Sequence, residues 1–159
     1  MREHFVKVLL TAGFLIATTV VSTGYAQAQS LASPIRVRIP FDFIVADKTY
    51  AAGEYFFQRA QPTSGDTMVL LRSADGRTKV IRLSNAVQTR DPKKLVMLVF
   101  HRYGNQHFLS QVWPAGATTG RELPKSREER ELERQAREVV RVDMRATPTV
   151  EIVKITVGP

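Results

Sequence analysis

From Ile35 to Val45 the apolar side chains Ile35, Val37, Ile39, Phe41, Phe43 and Val45 alternate with Arg36, Arg38, Pro40 and Asp42. A period of two belongs to the extended backbone, where successive side chains point to opposite faces. This stretch therefore predicts one half-buried strand and excludes a helix. Pro40 has no N–H to give to a ladder, so an edge position or a bulge is expected there. Glu54 to Arg59 continues the theme, with Tyr55 and Phe57 on one face and Phe56 on the other. Asp47-Lys48 and Ala51-Ala52-Gly53 read as turns, and the composition of Gln61 to Asp66 reads as a loop.

Two hairpins follow. Thr67 to Leu83 folds about Asp75-Gly76, a pair that tolerates the positive φ of a two-residue turn, and this register sets Leu70 against Ile81 and Met68 against Leu83. Leu95 to Tyr103 and Gln106 to Trp113 flank Gly104-Asn105, a glycine-first pair suited to a type II′ turn. The run Leu95 to Phe100 is apolar on both faces. It belongs in the middle of a sheet covered on each side, or in a wall that meets the tail on its outer surface.

Beyond the glycines at 116 and 120 the chemistry changes. Ser126 followed by Glu129 is the spacing of a reciprocal capping box, and a helix over about 127–141 is expected, with Leu132, Ala136, Val139 and Val140 on one stripe. Glu133 and Arg137 are placed to pair at i,i+4. Thr147 to Val157 returns to strand character, but its apolar residues change parity, so a bulge near Ile152 or burial of both faces is expected.

The start of the chain reads as an export signal. Arg2 and Lys7 precede a mostly apolar stretch from Val8 to Val21, shorter than the roughly 20 residues a spanning helix needs, and Ala26-Gln27-Ala28 supplies small residues for cleavage after Ala28. Residues 29–159 then form a single β-rich domain carrying 21 basic and 14 acidic side chains, a net of +7. The chain has no cysteine, which excludes disulfides, thiolate metal sites, a thiol nucleophile and lipid attachment through sulfur. The expected architecture is all-β or β-dominated: a small sandwich or partly open barrel of about seven strands over 35–113, with the helix at 126–141 and a final strand at 147–157.

Five segments, Ile39-Pro40-Phe41-Asp42-Phe43, Ala52-Gly53-Glu54-Tyr55, Phe100-His101-Arg102-Tyr103-Gly104, Phe108 to Trp113, and Gly120 to Ser126, together resemble a family of small uncharacterised secreted bacterial proteins frequent among acidobacteria. The resemblance spans about residues 35–132. It implies export and brings no activity, cofactor or site residue with it.

Motifs for a nucleophile elbow, a zincin, a phosphate loop and a calcium loop are all missing. No cofactor is expected. After signal removal only His101 and His107 remain as histidines. With a two-residue turn at Gly104-Asn105 they project from opposite faces of the sheet; a register shifted by one brings them to the same face. Carboxylates outside the helix that could serve hydrolysis are Asp42, Asp47, Glu54 and Asp91, each beside a turn or strand edge. Around the second hairpin, His101, Arg102, Tyr103, His107 and Trp113 are the candidate ligand-binding residues; Trp113, Tyr103, Phe108 and His107 could form an aromatic platform for a sugar or peptide, or, alternatively, Trp113 and Phe108 lie in the core.

Seven basic and six acidic residues interleave over 119–141, which suits a solvated ion-pair surface and not a nucleic-acid arm. The excess of positive charge lies in the β part, among Arg36, Arg38, Lys79, Arg82, Lys93, Lys94 and Arg102. If several share one face, anionic envelope lipid or polysaccharide is the expected partner, or another envelope protein. The sequence thus favours an exported, periplasmic or extracellular module that binds or supports and does not catalyse. The alternative is a small secreted hydrolase with an unrecognised histidine or carboxylate site.

Overall fold

A computed structural model describes residues 31, 33–60, 67–142 and 150–157. The export signal and its cut after Ala28, and the loop expected at 61–66, lie outside the described residues. Among the described residues eleven strands and one helix run in the order β1 (Ile35–Ile39), β2 (Phe43–Val45), β3 (Lys48–Tyr50), β4 (Gly53–Arg59), β5 (Met68–Ser73), β6 (Lys79–Leu83), β7 (Asn85–Gln88), β8 (Val96–Tyr103), β9 (Gln106–Trp113), β10 (Thr119–Glu122), α1 (Arg127–Val142) and β11 (Val150–Val157). They build two open sheets in a sandwich-like arrangement. The smaller has the order β1-β4-β5-β6; the larger has the order β11-β8-β9-β10-β7, with the β2–β3 hairpin attached where Ile44 of β2 bridges Phe108 of β9 in parallel. The β-dominated expectation, with one helix and a final strand, holds. Among the described residues the count is eleven strands and not seven, and the sheets are open and do not close into a barrel.

Part of the undercount comes from Pro40. The alternating run at 35–45 is two strands in two sheets, β1 ending at Ile39 and β2 beginning at Phe43. Without a donor at Pro40 the ladder to β4 stops, and the chain crosses the sandwich there. The period survives the crossing because both strands face one core: Ile35, Val37, Ile39, Phe43 and Val45 are all buried. The next turn is centred on Ala46 and Asp47, with φ of 56° and 65°, the double left-handed geometry of a type I′ hairpin. It lies one residue before the Asp47-Lys48 turn expected from sequence.

The two longer hairpins keep their expected registers. Met68 opposes Leu83 and Leu70 opposes Ile81. Only Gly76 takes a positive φ, however, and Ser73 N–H donates to Thr78 carbonyl across a four-residue loop, so the Asp75-Gly76 turn is wider than the two-residue one predicted. In β8–β9, Arg102 opposes His107 and His101 opposes Phe108 about a Gly104 with φ of 59°. The pairing then slips between Val99 and Phe100, which leaves Ser110 of β9 as an extra residue.

The two sheets bury one shared core of Val37, Ile39, Phe57, Val69 and Leu71 from the smaller and Phe43, Leu98, Phe100, Leu109 and Val112 from the larger. Near one end Gly120 makes room for Trp113. A Cβ at Gly120 would stand 2.5 Å from the indole, so only glycine allows that ring to lie across β10. The last strand corrects its expectation. β11 pairs with β8 from Val150↔Tyr103 to Val157↔Val96 with no slip, Val153, Ile155 and Val157 rest against the core, and Ile152 is left 59 % exposed. No bulge forms, and only one face packs on the core, its residues half-buried.

Candidate functional site

The larger sheet has a roof. Helix α1 lies over its outer face, where Leu132 packs on Ile44, Tyr103 and Phe108 beside Val150. Ser126 caps the helix, its Oγ accepting the Glu129 N–H at 3.0 Å. The reciprocal half of the expected box is diverted: the Glu129 carboxylate meets His101 Nδ1 at 2.7 Å, with the two side chains 19 % and 5 % exposed for His101 and Glu129. Gln106 donates to Glu128 at 2.8 Å, and Asp47 accepts the Glu128 N–H at 3.4 Å, a carboxylate where the helix dipole favours one. Lys125 and Arg137 both reach Glu133, the latter in the i,i+4 pair anticipated from sequence. Burial, reinforced by the charges of Glu129 and Glu133, pushes the Tyr103 hydroxyl up to about 12. Hydrogen bonds and ion pairs thus fasten the helix to the sheet, and a cleft of about 500 Å³ opens at the edge of the seam among Asp47, Arg127, Glu128, Glu131 and Leu132.

The residues singled out in the second hairpin do not converge. His101 and Tyr103 face the helix. Arg102 and His107 face the other way, Arg102 pairing with Glu151 at 3.1 Å and His107 stacking on Phe41 with ring centroids 4.0 Å apart. Burial, followed by the nearby Arg102 charge, lowers the pKa of His107. Trp113, 4 % exposed, donates from Nε1 to Gln111 at 2.9 Å and lies under the Lys93 ammonium, 5.4 Å from the ring. It is a packed residue and offers no open platform. The candidate carboxylates are scattered too: Asp42 accepts the Ala52 N–H, Asp47 touches the helix start, Glu54 is paired with Arg36, and Asp91 is exposed. Among the described residues no three His, Asp or Glu side chains gather as a metal site.

The smaller sheet has no such roof among the described residues, and its outer face is chemically organised. Register sets Arg36 of β1 against Phe56 of β4, Phe56 against Arg72 of β5, and Arg72 against Lys79 of β6, a row running straight across all four strands. Both guanidinium groups sit over the Phe56 ring, at 5.9 Å for Arg36 and 5.3 Å for Arg72. One step along, Arg38 opposes Glu54, whose carboxylate takes a bidentate pair of 2.7 Å bonds from Arg36. That pair raises the Arg36 pKa and lowers that of Glu54. In the other direction follow Gln58, Leu70 and Ile81, then Met68 and Leu83. Ile81 is 50 % and Leu83 62 % exposed.

Of the cations weighed from sequence, Arg36, Arg38 and Lys79 share this face, and Arg72 joins them. Arg82 opposes Val69 on the inward side, while Lys93, Lys94 and Arg102 sit on or beside the other sheet. Phe56 and Arg72 were missed as partners because their juxtaposition depends on how β4 meets β5, across a loop whose length no pattern specifies. At one end of the face, Lys79 and Glu54 also border a cleft of about 520 Å³ that reaches Lys48, Tyr50 and Asp75. Both acids there are engaged, Glu54 by Arg36 and Asp75 by Ser73 and the Arg77 N–H. Comparison with family models, curated proteins and solved structures finds no match for this chain.

Proposed function

We propose that this protein is an exported, non-catalytic binding module of the cell envelope or extracellular space, and that the outer face of the β1-β4-β5-β6 sheet is its binding surface. The observation that carries the reading is the Arg36–Phe56–Arg72–Lys79 row. It aligns three cations on a rigid sheet, and a fourth, Arg38, adjoins it. Glu54 neutralises one of the four. The remaining positive field attracts polyanionic material, and the attraction weakens as salt screens it.

Export is supported by the signal pattern at 1–28. The placement of the histidines favours the binding reading over the hydrolase alternative: His101 is bonded to Glu129 beneath the helix, and His107 lies on the opposite face of the sheet.

The test uses the exported product of the full-length chain, incubated with an isolated envelope fraction and washed with rising salt. Retention that falls with salt is expected, together with a strong loss in Arg72→Glu/Lys79→Glu and little change in Arg90→Glu/Lys94→Glu, which alters the same charge on other exposed residues. Equal loss in both pairs would show that net charge and not this face is responsible. A His101→Ala/His107→Ala variant that loses a hydrolytic activity present in the parent would restore the enzyme reading.

A further inference from the structure

Resting on that reading and deepening it, we infer that the occupant of this face is an anionic phospholipid surface, with β6 as the strand that meets it. Two side-chain chemistries lie next to each other there. Lys79, Ile81 and Leu83 point outward from the same side of β6, each about 7 Å from the next. Behind Lys79 stand Arg72, Phe56 and Arg36; beside Ile81 lies Leu70, itself buried, and beside Leu83 lies Met68, half-buried, so Ile81 and Leu83 are the aliphatic side chains this end presents. The face is thus cationic at one end and aliphatic at the other.

β6 terminates the sheet, so no strand of the described fold flanks its outer side. Ile81 and Leu83, half or more exposed, are two of the four large hydrophobics left open among the described residues. Their position beside cations discriminates between partners. A soluble acidic polysaccharide satisfies Arg38, Arg72 and Lys79 but offers nothing apolar to Ile81 and Leu83. A second copy of the same face would set cation against cation. The boundary of an anionic bilayer satisfies both sets, with phosphates for the guanidinium and ammonium groups and acyl chains within reach of the aliphatic tips. Arginine suits this contact because its fork binds phosphate oxygens bidentately while its plane rests on an aromatic ring, as Arg72 rests on Phe56.

The experiment is co-sedimentation of the exported product with vesicles of phosphatidylcholine, with and without phosphatidylglycerol, at low and high salt. Sedimentation with the anionic vesicles alone, lost at high salt, is expected. Each cation removed weakens partition about fivefold, so Arg72→Glu/Lys79→Glu loses about 25-fold or more. Ile81→Ser/Leu83→Ser weakens binding with an unchanged salt dependence. These positions are exposed, and unchanged thermal unfolding confirms that each variant is folded. A second readout is the emission of Leu83→Trp, which moves to the blue when anionic vesicles are added; the native tryptophan, Trp113, is buried and gives a quiet background.

A parent chain that ignores anionic vesicles but is retained on alginate overturns the lipid inference and leaves the binding face standing. Retention on neither overturns both. Sedimentation unaffected by Arg72→Glu/Lys79→Glu, or a Leu83→Trp emission that does not move, also overturns the lipid inference.

Discussion

The outer faces of the two sheets make opposite use of the same backbone. On the larger sheet the helix roofs the His101 and Tyr103 end of β8, and the strand reads Val-Met-Leu-Val-Phe with Val96, Leu98 and Phe100 buried in the core and Val99 buried on the other face. On the smaller sheet, β1 alternates strictly between buried and exposed, and β6 exposes Lys79, Ile81 and Leu83 while half-burying Val80 and Arg82. A strand's composition therefore reports how many of its faces are covered. The open face is then the place to look for a partner, and the covered face the place to look for stability.

The sharpest way to break this contrast is to truncate one large apolar residue on each outer face. Phe108, 2 % exposed between Ile44, Tyr103 and Leu132, should cost about 3–5 kcal/mol as Phe108→Ala, because the space beneath a docked helix cannot collapse fully. Ile81→Ala on the open face should fall within about 0.5 kcal/mol of the parent. Urea unfolding of the two variants measures both. Similar costs would mean that helix and sheet are not packed as described, or that the open face is covered.

Ion pairs extend the contrast at smaller magnitude. Glu129 is buried with His101 as its partner, and Glu54 is held by Arg36 where the arginine side chain is 65 % exposed. Removing Glu129 as Glu129→Ala strands a buried polar partner and should cost about 1–3 kcal/mol, most of which His101→Ala in the same chain should recover. Removing Glu54 returns Arg36 to water and should cost far less, because both groups are already solvated. A double-mutant cycle on each pair, read by thermal unfolding, separates the two. Equal coupling energies would erase the difference between the seam and the face.

How much of this was legible in the sequence depends on the range of the interaction. The hairpin registers at Leu70↔Ile81 and Arg102↔His107 were, because each is set by its own turn and its own parity. The helix and its Ser126 cap were, because capping is local. The break at Pro40 was not read as a change of sheet: a residue without a donor announces the end of a ladder but not where the chain goes next. Glu129 was read as half of a capping box because its spacing from Ser126 is right. Its actual partner comes from β8, 28 positions away, a contact that no local spacing announces. The Arg36–Phe56–Arg72–Lys79 row was half legible. Its cations could be counted, but alignment across four strands needs three registers at once, one of them set across the segment 61–66.

The smallest effect at neutral pH separates the faces by titration. Tyr103 lies in the roofed seam with its pKa raised to about 12 by burial and by Glu129 and Glu133, against an ordinary value of 10. A folded-state pKa above the unfolded one means that the unfolded chain gives up the proton first. The stabilisation tied to neutral Tyr103 is therefore complete below about pH 10 and is lost as pH rises toward 12. Tyr103→Phe cannot ionise. It should unfold almost as the parent does at neutral pH and keep more of its stability between pH 10 and 12, as followed by urea unfolding at stepped pH. Tyr50 and Tyr55, also raised by burial but set in the core between the sheets, keep part of the alkaline loss in place, so the variant flattens the curve without abolishing it. If the two curves coincide above pH 10, the hydroxyl is wet and the helix does not seal that side of the sheet.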